Sequence, residues 1–366
     1  MAIDQINIML SIFIIGSLML LSLILLFNPM KVNRKANSIF ALFIILWATY
    51  WAEELFTLSG IVLSSLFFWD GLKFFQFFTP ILLFLGVKYF TSPFYKFGLS
   101  SLKFLVFPII YLATLMYSKS LPPGSIIHKV LIVMMIAHAI FYTILSLRVL
   151  KTHEKRIEEI TSNTEGIDLK WIKNVILSLL VLSVLLGFYG LLVPMKNLNI
   201  FGNTISFLTV IYVTYYLLKQ KEIFDLSEEQ IEKIFPEDSA QLPKSKLLNE
   251  TEIITLREDI NKLMKEKRPY LDRELSLKKL AELMQISPHH LSYLLNEGMG
   301  ENFFQYINRY RAEEAKKLLL SPAHQHLSKM GIAFEAGFNS KTAFNTFFKK
   351  HTDMTPTEYV KMRSSG

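Results

Sequence analysis

The 366-residue chain contains no cysteine, which excludes disulfides, thiolate nucleophiles and cysteine zinc sites. It has no phosphate-cradling glycine loop, no His-Glu-x-x-His pair and no nucleophile with a recognisable base beside it. Nothing in it therefore reads as catalytic, as a metal site or as a cofactor site. The two adjacent histidines, His289 and His290, point in different directions on a helix and make a poor metal pair. Lysine is missing from the apolar run Ile200 to Leu218, so the buried amine that a retinal Schiff base needs is absent there.

Apolar residues are abundant. They make up 51% of the chain and mean hydropathy is +0.34, more apolar than an average soluble domain. The excess lies in residues 1–218, whereas the remainder is charged and helix-patterned, so at least two domains in different solvents are expected. The net charge of +8 suits nucleic acid or anionic lipid, but loop lysines of the apolar half contribute to it.

Seven apolar runs are expected to span a bilayer: Ile6 to Phe27, Ser38 to Phe56, Phe67 to Phe90, Lys103 to Ser118, Lys129 to Leu150, Asn174 to Val193 and Ile200 to Leu218. About twenty residues at 1.5 Å each cross a hydrocarbon core of about 30 Å. The first run is preceded by Asp4 and no basic residue, and no small-residue cleavage site follows before Pro29, so it reads as a span rather than a signal peptide. Lys31, Arg34 and Lys35 lie in the first loop, Lys96 in the third, and Arg148, Lys151, Lys155, Arg156, Lys170 and Lys173 around the fifth. The second loop has no basic residue, the fourth has Lys119 with Lys129 at its edge, the sixth has only Lys196, and Lys219 and Lys221 follow the last span. This bias puts the odd loops and the C-terminus in the cytoplasm and the N-terminus outside.

Under that topology Glu53 and Glu54 end the second span near the outer face, and Asp70, Lys73 and Gln76 begin the third at the same depth. Asp70 and Lys73 share a helix face and are placed to pair. Ionisable groups in a bundle often mark a site, so the five are candidate ligand-sensing residues; headgroup-wetted interfacial residues or a structural ion pair would look the same. His138 is expected to be a neutral, hydrogen-bonded bundle residue, and Lys88 and Lys103 to snorkel.

Residues 219–250 read as a solvated linker interrupted by Pro236 and Pro243, with a short helix capped by Ser227 and Gln230. Ile253, Leu256, Ile260 and Leu263 then form a narrow stripe, which suits docking on the following domain or a short dimer seam. Farther on, Ser287-Pro288 reads as an N-cap with proline at the first helical position, starting a helix that buries Leu291, Leu294 and Leu295. A helix from Asn302 to Leu320 buries Phe304, Ile307, Ala315, Leu318 and Leu319. Gly337 ends a short helix, and Asn339 or Ser340 caps the next. There Phe344, Phe347 and Phe348 face inward and Lys341, Thr342, Asn345 and Thr346 face outward, a set able to contact base edges and phosphates. Lys278, Lys279, Arg309, Arg311, Lys316, Lys317, Lys349 and Lys350 are further candidates for phosphate, although Arg311 and others suit core support equally.

The pattern Ile332-Ala333, Gly337-Phe338, Ser340, Phe344, Phe348-Lys349, Thr355-Pro356, Tyr359 closely resembles the second helix-turn-helix signature of the AraC/XylS family of bacterial transcription regulators. Leu277, Leu280-Ala281, Ile286-Ser287, Leu291, Phe304, Asn308, Arg311 and Ala315 resemble the family's first helix-turn-helix and its connecting helix. The resemblance covers roughly the last hundred residues. Asp353 stands where the family commonly has Gly, at a turn whose left-handed geometry Asp tolerates. The resemblance implies that His289, Ser292 and Tyr293 face bases from the first recognition helix.

The expected fold class is thus all-α: a seven-helix transmembrane sensor bundle (1–218), a linker (219–250) and a cytoplasmic domain with two helix-turn-helix units (251–366). The expected partners are double-stranded DNA, the lipid bilayer, a small-molecule or envelope signal and a second copy in a homodimer. The expected location is the bacterial cytoplasmic membrane. The other readings are a transporter or enzyme with an autoregulatory DNA-binding tail, and a receptor whose C-terminal domain binds a protein.

Overall fold

The computed structural model describes residues 2–29, 31, 33–52, 55–56, 59, 66–92, 95, 97–164, 169–192, 200–218 and 247–364. Glu53, Glu54, the linker helix and most of the linker lie outside them. Among the described residues the chain is all-helical, with one isolated antiparallel bridge, Thr161 to Ser276, and no strand. It divides into two compact units, Met1–Thr152 with Leu169–Glu222, and His153–Asp168 with Ile223–Gly366.

The first unit is built from α1 (Ala2–Phe27), α2 (Arg34–Ala48), α3 (Leu66–Gln76), α4 (Thr79–Thr91), α5 (Val106–Ser118), most of α6 (Ile126–Ile160), α7 (Lys170–Leu192) and α8 (Ile200–Leu218). Helices α1, α2 and α8 pack together, and α4 lies on α2. By length and composition, four helical stretches suffice to cross a membrane: Gln5–Phe27, Phe68–Thr91, Ser101–Ser118 and Ile126–Ile160; Gly202–Leu218 is a shorter apolar helix. Inside this apolar packing the Trp51 Nε1–H donates to Asn203 Oδ1 at 2.9 Å.

The run expected as one span from Phe67 to Phe90 is broken at Phe77–Phe78. Pro80 is the reason: it has no amide hydrogen for the carbonyl of Gln76 four residues earlier. The Tyr50 hydroxyl donates to that orphaned carbonyl instead, at 3.3 Å, as a polar group inside an apolar bundle requires. The run expected from Lys129 to Leu150 continues ten residues farther, to Ile160.

Three expectations about polar residues are corrected or sharpened. Asp70 pairs with Lys119 at 2.8 Å, not with Lys73, because α5 packs beside α3 and brings the residue following its last turn to Asp70. Gln76 is buried and donates to the Thr49 hydroxyl at 3.2 Å. His138 is buried, but its ring is stacked on Phe77 with centroids 4.0 Å apart and its Nε2 makes no hydrogen bond.

The second unit comprises the end of α6 with the turn after it, then α9 (Glu250–Glu266), α10 (Leu277–Met284), α11 (Pro288–Tyr293), α12 (Phe303–Leu320), α13 (Lys329–Glu335), α14 (Lys341–Thr352) and α15 (Pro356–Ser364). Asn249 and Glu252 form a reciprocal capping box at the start of α9, satisfying two otherwise unpaired amides. Ile260 and Met264 are fully buried, and Ile253, Leu256 and Leu263 pack against the same core. The stripe is thus docked on its own domain.

Two cores result. One gathers α9, α10, α11 and the first half of α12; the other gathers the second half of α12 with α13, α14 and α15. Helix α12 joins them. It contributes Phe303, Tyr306 and Ile307 to the first and Ala315 and Leu319 to the second. Phe303, rather than the expected Phe304, is the aromatic sealed in the first core; Phe304 is half-buried against Phe347.

Candidate nucleic-acid interface

Each core carries a pair of short helices whose second member presents polar residues. In the first pair, α10 begins at Ser276, whose hydroxyl accepts from the Lys279 amide. It ends at Gln285 in left-handed conformation (φ 58°). Ser287 then caps α11 by accepting from the His290 amide at 3.1 Å, with Pro288 next. Leu291, Leu294 and Leu295 are fully buried, which fixes the rotation of α11 and leaves His289 exposed, with Ser292 and Tyr293 half-exposed. The Ser292 hydroxyl accepts from the Asn296 amide at 3.3 Å, and Tyr293 also packs on the core.

The second pair repeats the plan. Helix α13 is followed by Gly337 with φ 91°, a region that only glycine enters freely. A Cβ at Gly337 would run into the Tyr270 carbonyl oxygen and the Arg311 guanidinium. Of the two expected caps Ser340 takes the role, accepting from the Ala343 amide at 3.1 Å, while Asn339 donates to Glu274 at 2.8 Å. Phe344 and Phe348 are buried. That orientation leaves Lys341, Thr342, Asn345, Thr346, Lys349 and Lys350 exposed. Asp353, in left-handed conformation (φ 58°), ends α14; a further capping box, Thr355 with Glu358, starts α15.

Lys341, Asn345, Thr346, Lys349 and Lys350 line one side of a depression of about 1100 Å³ whose other side is Ser328, Lys329 and Thr357. Four lysines, Lys329, Lys341, Lys349 and Lys350, against the single acid Asp353 in its lining make it electropositive. The other expected phosphate donors are largely engaged: Lys279 with Asp272, Arg309 with Glu301, Lys316 with Glu313 and Lys317 with Glu314. Arg311 is fully buried, and burial lowers its pKa to about 10. Its guanidinium donates to the carbonyls of Tyr270 (2.8 Å) and Asp272 (2.7 Å) and to Asn308 Oδ1 (3.2 Å). It is a core strut, one of the two roles its sequence position left open.

Sequence reasoning missed Lys329, whose Nζ donates to Thr357 at 2.6 Å on the rim of the depression. Its only signal was a Ser328 cap three residues before Gly331. Among the described residues no group of histidines and acids is arranged to hold a metal.

Comparison with known proteins bears on this surface alone. Residues 280–362 match the model of a helix-turn-helix domain family. An uncharacterized HTH-type transcriptional regulator, YijO of Escherichia coli K12, is 32% identical over 102 residues, 27% of this chain and 35% of its own length. An uncharacterized transcriptional regulatory protein, YesN of Bacillus subtilis 168, is 37% identical over 94 residues, 25% of each chain. This chain therefore spans about a third or less of the curated relatives it matches. A solved protein of unknown function from Listeria innocua is 31% identical, with a TM-score of 0.25, covering 29% of this chain and 95% of that one.

Proposed function

We propose, from the premise that residues 280–362 are a helix-turn-helix domain of AraC type, that the whole chain is a membrane-bound, sequence-specific transcription regulator. The observation that carries this is the split of α14 into a sealed face, Phe344 and Phe348, and an exposed face of Lys341, Thr342, Asn345, Thr346, Lys349 and Lys350. Amide and hydroxyl groups on such a face read base edges in a major groove, and lysines at its end neutralise phosphate. His289, Ser292 and Tyr293 on α11 form the second reading element. Two such helices on one domain suit successive major grooves about 34 Å apart on one side of the duplex.

The apolar unit is the sensor in this reading, with seven spans, the N-terminus outside and the C-terminal domain in the cytoplasm. The loop charges and the four long apolar stretches support it. Its signal, a small molecule or a component of the envelope, acts near Asp70, Lys73 and Gln76, with Glu53 and Glu54 completing the group. A homodimer would place four reading helices on one site.

The test uses the intact protein in lipid nanodiscs, incubated with fragmented genomic DNA at physiological salt. Recovery of a few promoter fragments, bound at least about a thousandfold more tightly than random DNA, is the expected outcome. Equal, weak retention of all fragments would falsify the assignment.

A further inference from the structure

The DNA-reading unit is not continuous in sequence. It includes His153–Asp168, the last two turns of α6 and the residues that follow them, separated from the rest of the unit by Leu169–Glu222. That stretch is built in. His153 and Ile157 are 1% exposed and Ser162 2%, and Ile160 belongs to the same apolar core as Ile260, Leu280 and Leu291. Thr161 pairs with Ser276 in the antiparallel bridge. The Ser162 hydroxyl donates to the Leu275 carbonyl at 2.8 Å, and its own carbonyl accepts from Asn308 Nδ2 at 3.2 Å and from Arg311 at 3.4 Å. Asn302, the cap of α12, donates to Glu158 at 3.1 Å.

These partners are not peripheral. Leu275 and Ser276 lead into α10 and supply its cap, and Asn302 starts the helix that joins the two cores. Arg311 lies against the turn at Gly337 and holds the Tyr270 carbonyl that faces it. A shift of residues 157–163 would therefore act through hydrogen bonds on the start of the first helix pair and on Arg311, which lies against the turn inside the second. The same residues end α6, whose earlier turns, Ile126–Thr152, belong to the apolar unit.

We infer that His153–Asn163 is a strap that completes the DNA-reading fold, and that α6 is the element through which the apolar unit sets DNA affinity. The inference rests on the proposed DNA-binding function. The coupling then runs through α6 rather than through the linker before α9.

The absence of cysteine makes the test clean. In full-length protein in nanodiscs, Thr161→Cys with Ser276→Cys should form a disulfide in nearly every molecule on mild oxidation, and Ser162→Ala should raise amide exchange in residues 157–163 by about fivefold, as loss of one hydrogen bond implies. A four-residue Gly-Ser insertion between Thr152 and His153 should then change affinity for a genomic fragment selected by the unmodified protein by at least about fivefold. The same insertion between residues 166 and 167, beyond the strap, should not. Failure to cross-link shows that the strap is not seated; equal effects of the two insertions, or none from either, show that it does not transmit. Absence of any selected fragment sinks the DNA-binding reading alone, because cross-linking and exchange still report the strap.

Discussion

At the scale of single residues, the exposed face of α14 depends on groups packed behind it. Gly337 sits at φ 91° beside the Tyr270 carbonyl and the Arg311 guanidinium, so Gly337→Ala pays for both the left-handed backbone and the collision. A loss of about 1–3 kcal/mol in thermal unfolding of the C-terminal unit is expected. Exposed residues of α14 should behave differently from one another. Asn345→Ala should weaken discrimination at one base pair by about 1–3 kcal/mol, seen as a relaxed position in selected sites. Lys349→Ala should weaken all sequences alike and lower the slope of log affinity against log salt by about 1.

At the scale of elements, α12 and α14 are tied by Glu313, which accepts from His351 Nε2 at 2.8 Å and from Lys316 at 2.9 Å. Burial pushes the Glu313 carboxyl upward, but those hydrogen bonds outweigh it and hold the group below its usual 4.5. A carboxylate held low in the folded state stabilises it above the unfolded value, and that contribution is lost as pH falls through the folded one. Thermal melts from neutral pH downward should lose stability below about 4.5 in the native protein, and Glu313→Gln should flatten that part of the profile. Helix α9 makes a second case: Ile260→Ala empties a fully enclosed site and should cost about 2–5 kcal/mol, which a solvent-facing seam would not. Much of this was legible in the sequence because caps and periodic apolar faces are local. Ser287, Ser340, Leu291, Phe344 and Phe348 each declare their role within a few residues. The kink at Phe77–Phe78 was signalled by Pro80 but masked by the continuous apolar run, and the Asp70–Lys119 pair and the strap were invisible because their partners lie far along the chain. The choice of Arg311 as strut over phosphate ligand likewise needed the carbonyls of Tyr270 and Asp272 in place.

At the scale of the whole molecule, the proposed topology makes opposite faces of the bilayer distinguishable by thiol chemistry. A membrane-impermeant maleimide should label Ser120→Cys in intact cells, and Lys155→Cys, also exposed, only after lysis; the reverse pattern would invert the protein. The strap also imposes an order on biogenesis. Ser162 leaves the ribosome 113 residues before the Leu275 carbonyl it will bond, and α7 and α8 are synthesised in between. Closing a loop of that length costs roughly 4 kcal/mol in chain entropy, repaid only when the reader's own helices have arrived. A molecule whose later helices insert wrongly would carry the strap to the wrong place, and its reader would stay incomplete. In the proposed membrane-bound regulator, correct insertion thereby becomes a condition for acting on genes at all, so that misassembled copies are silent rather than misregulating.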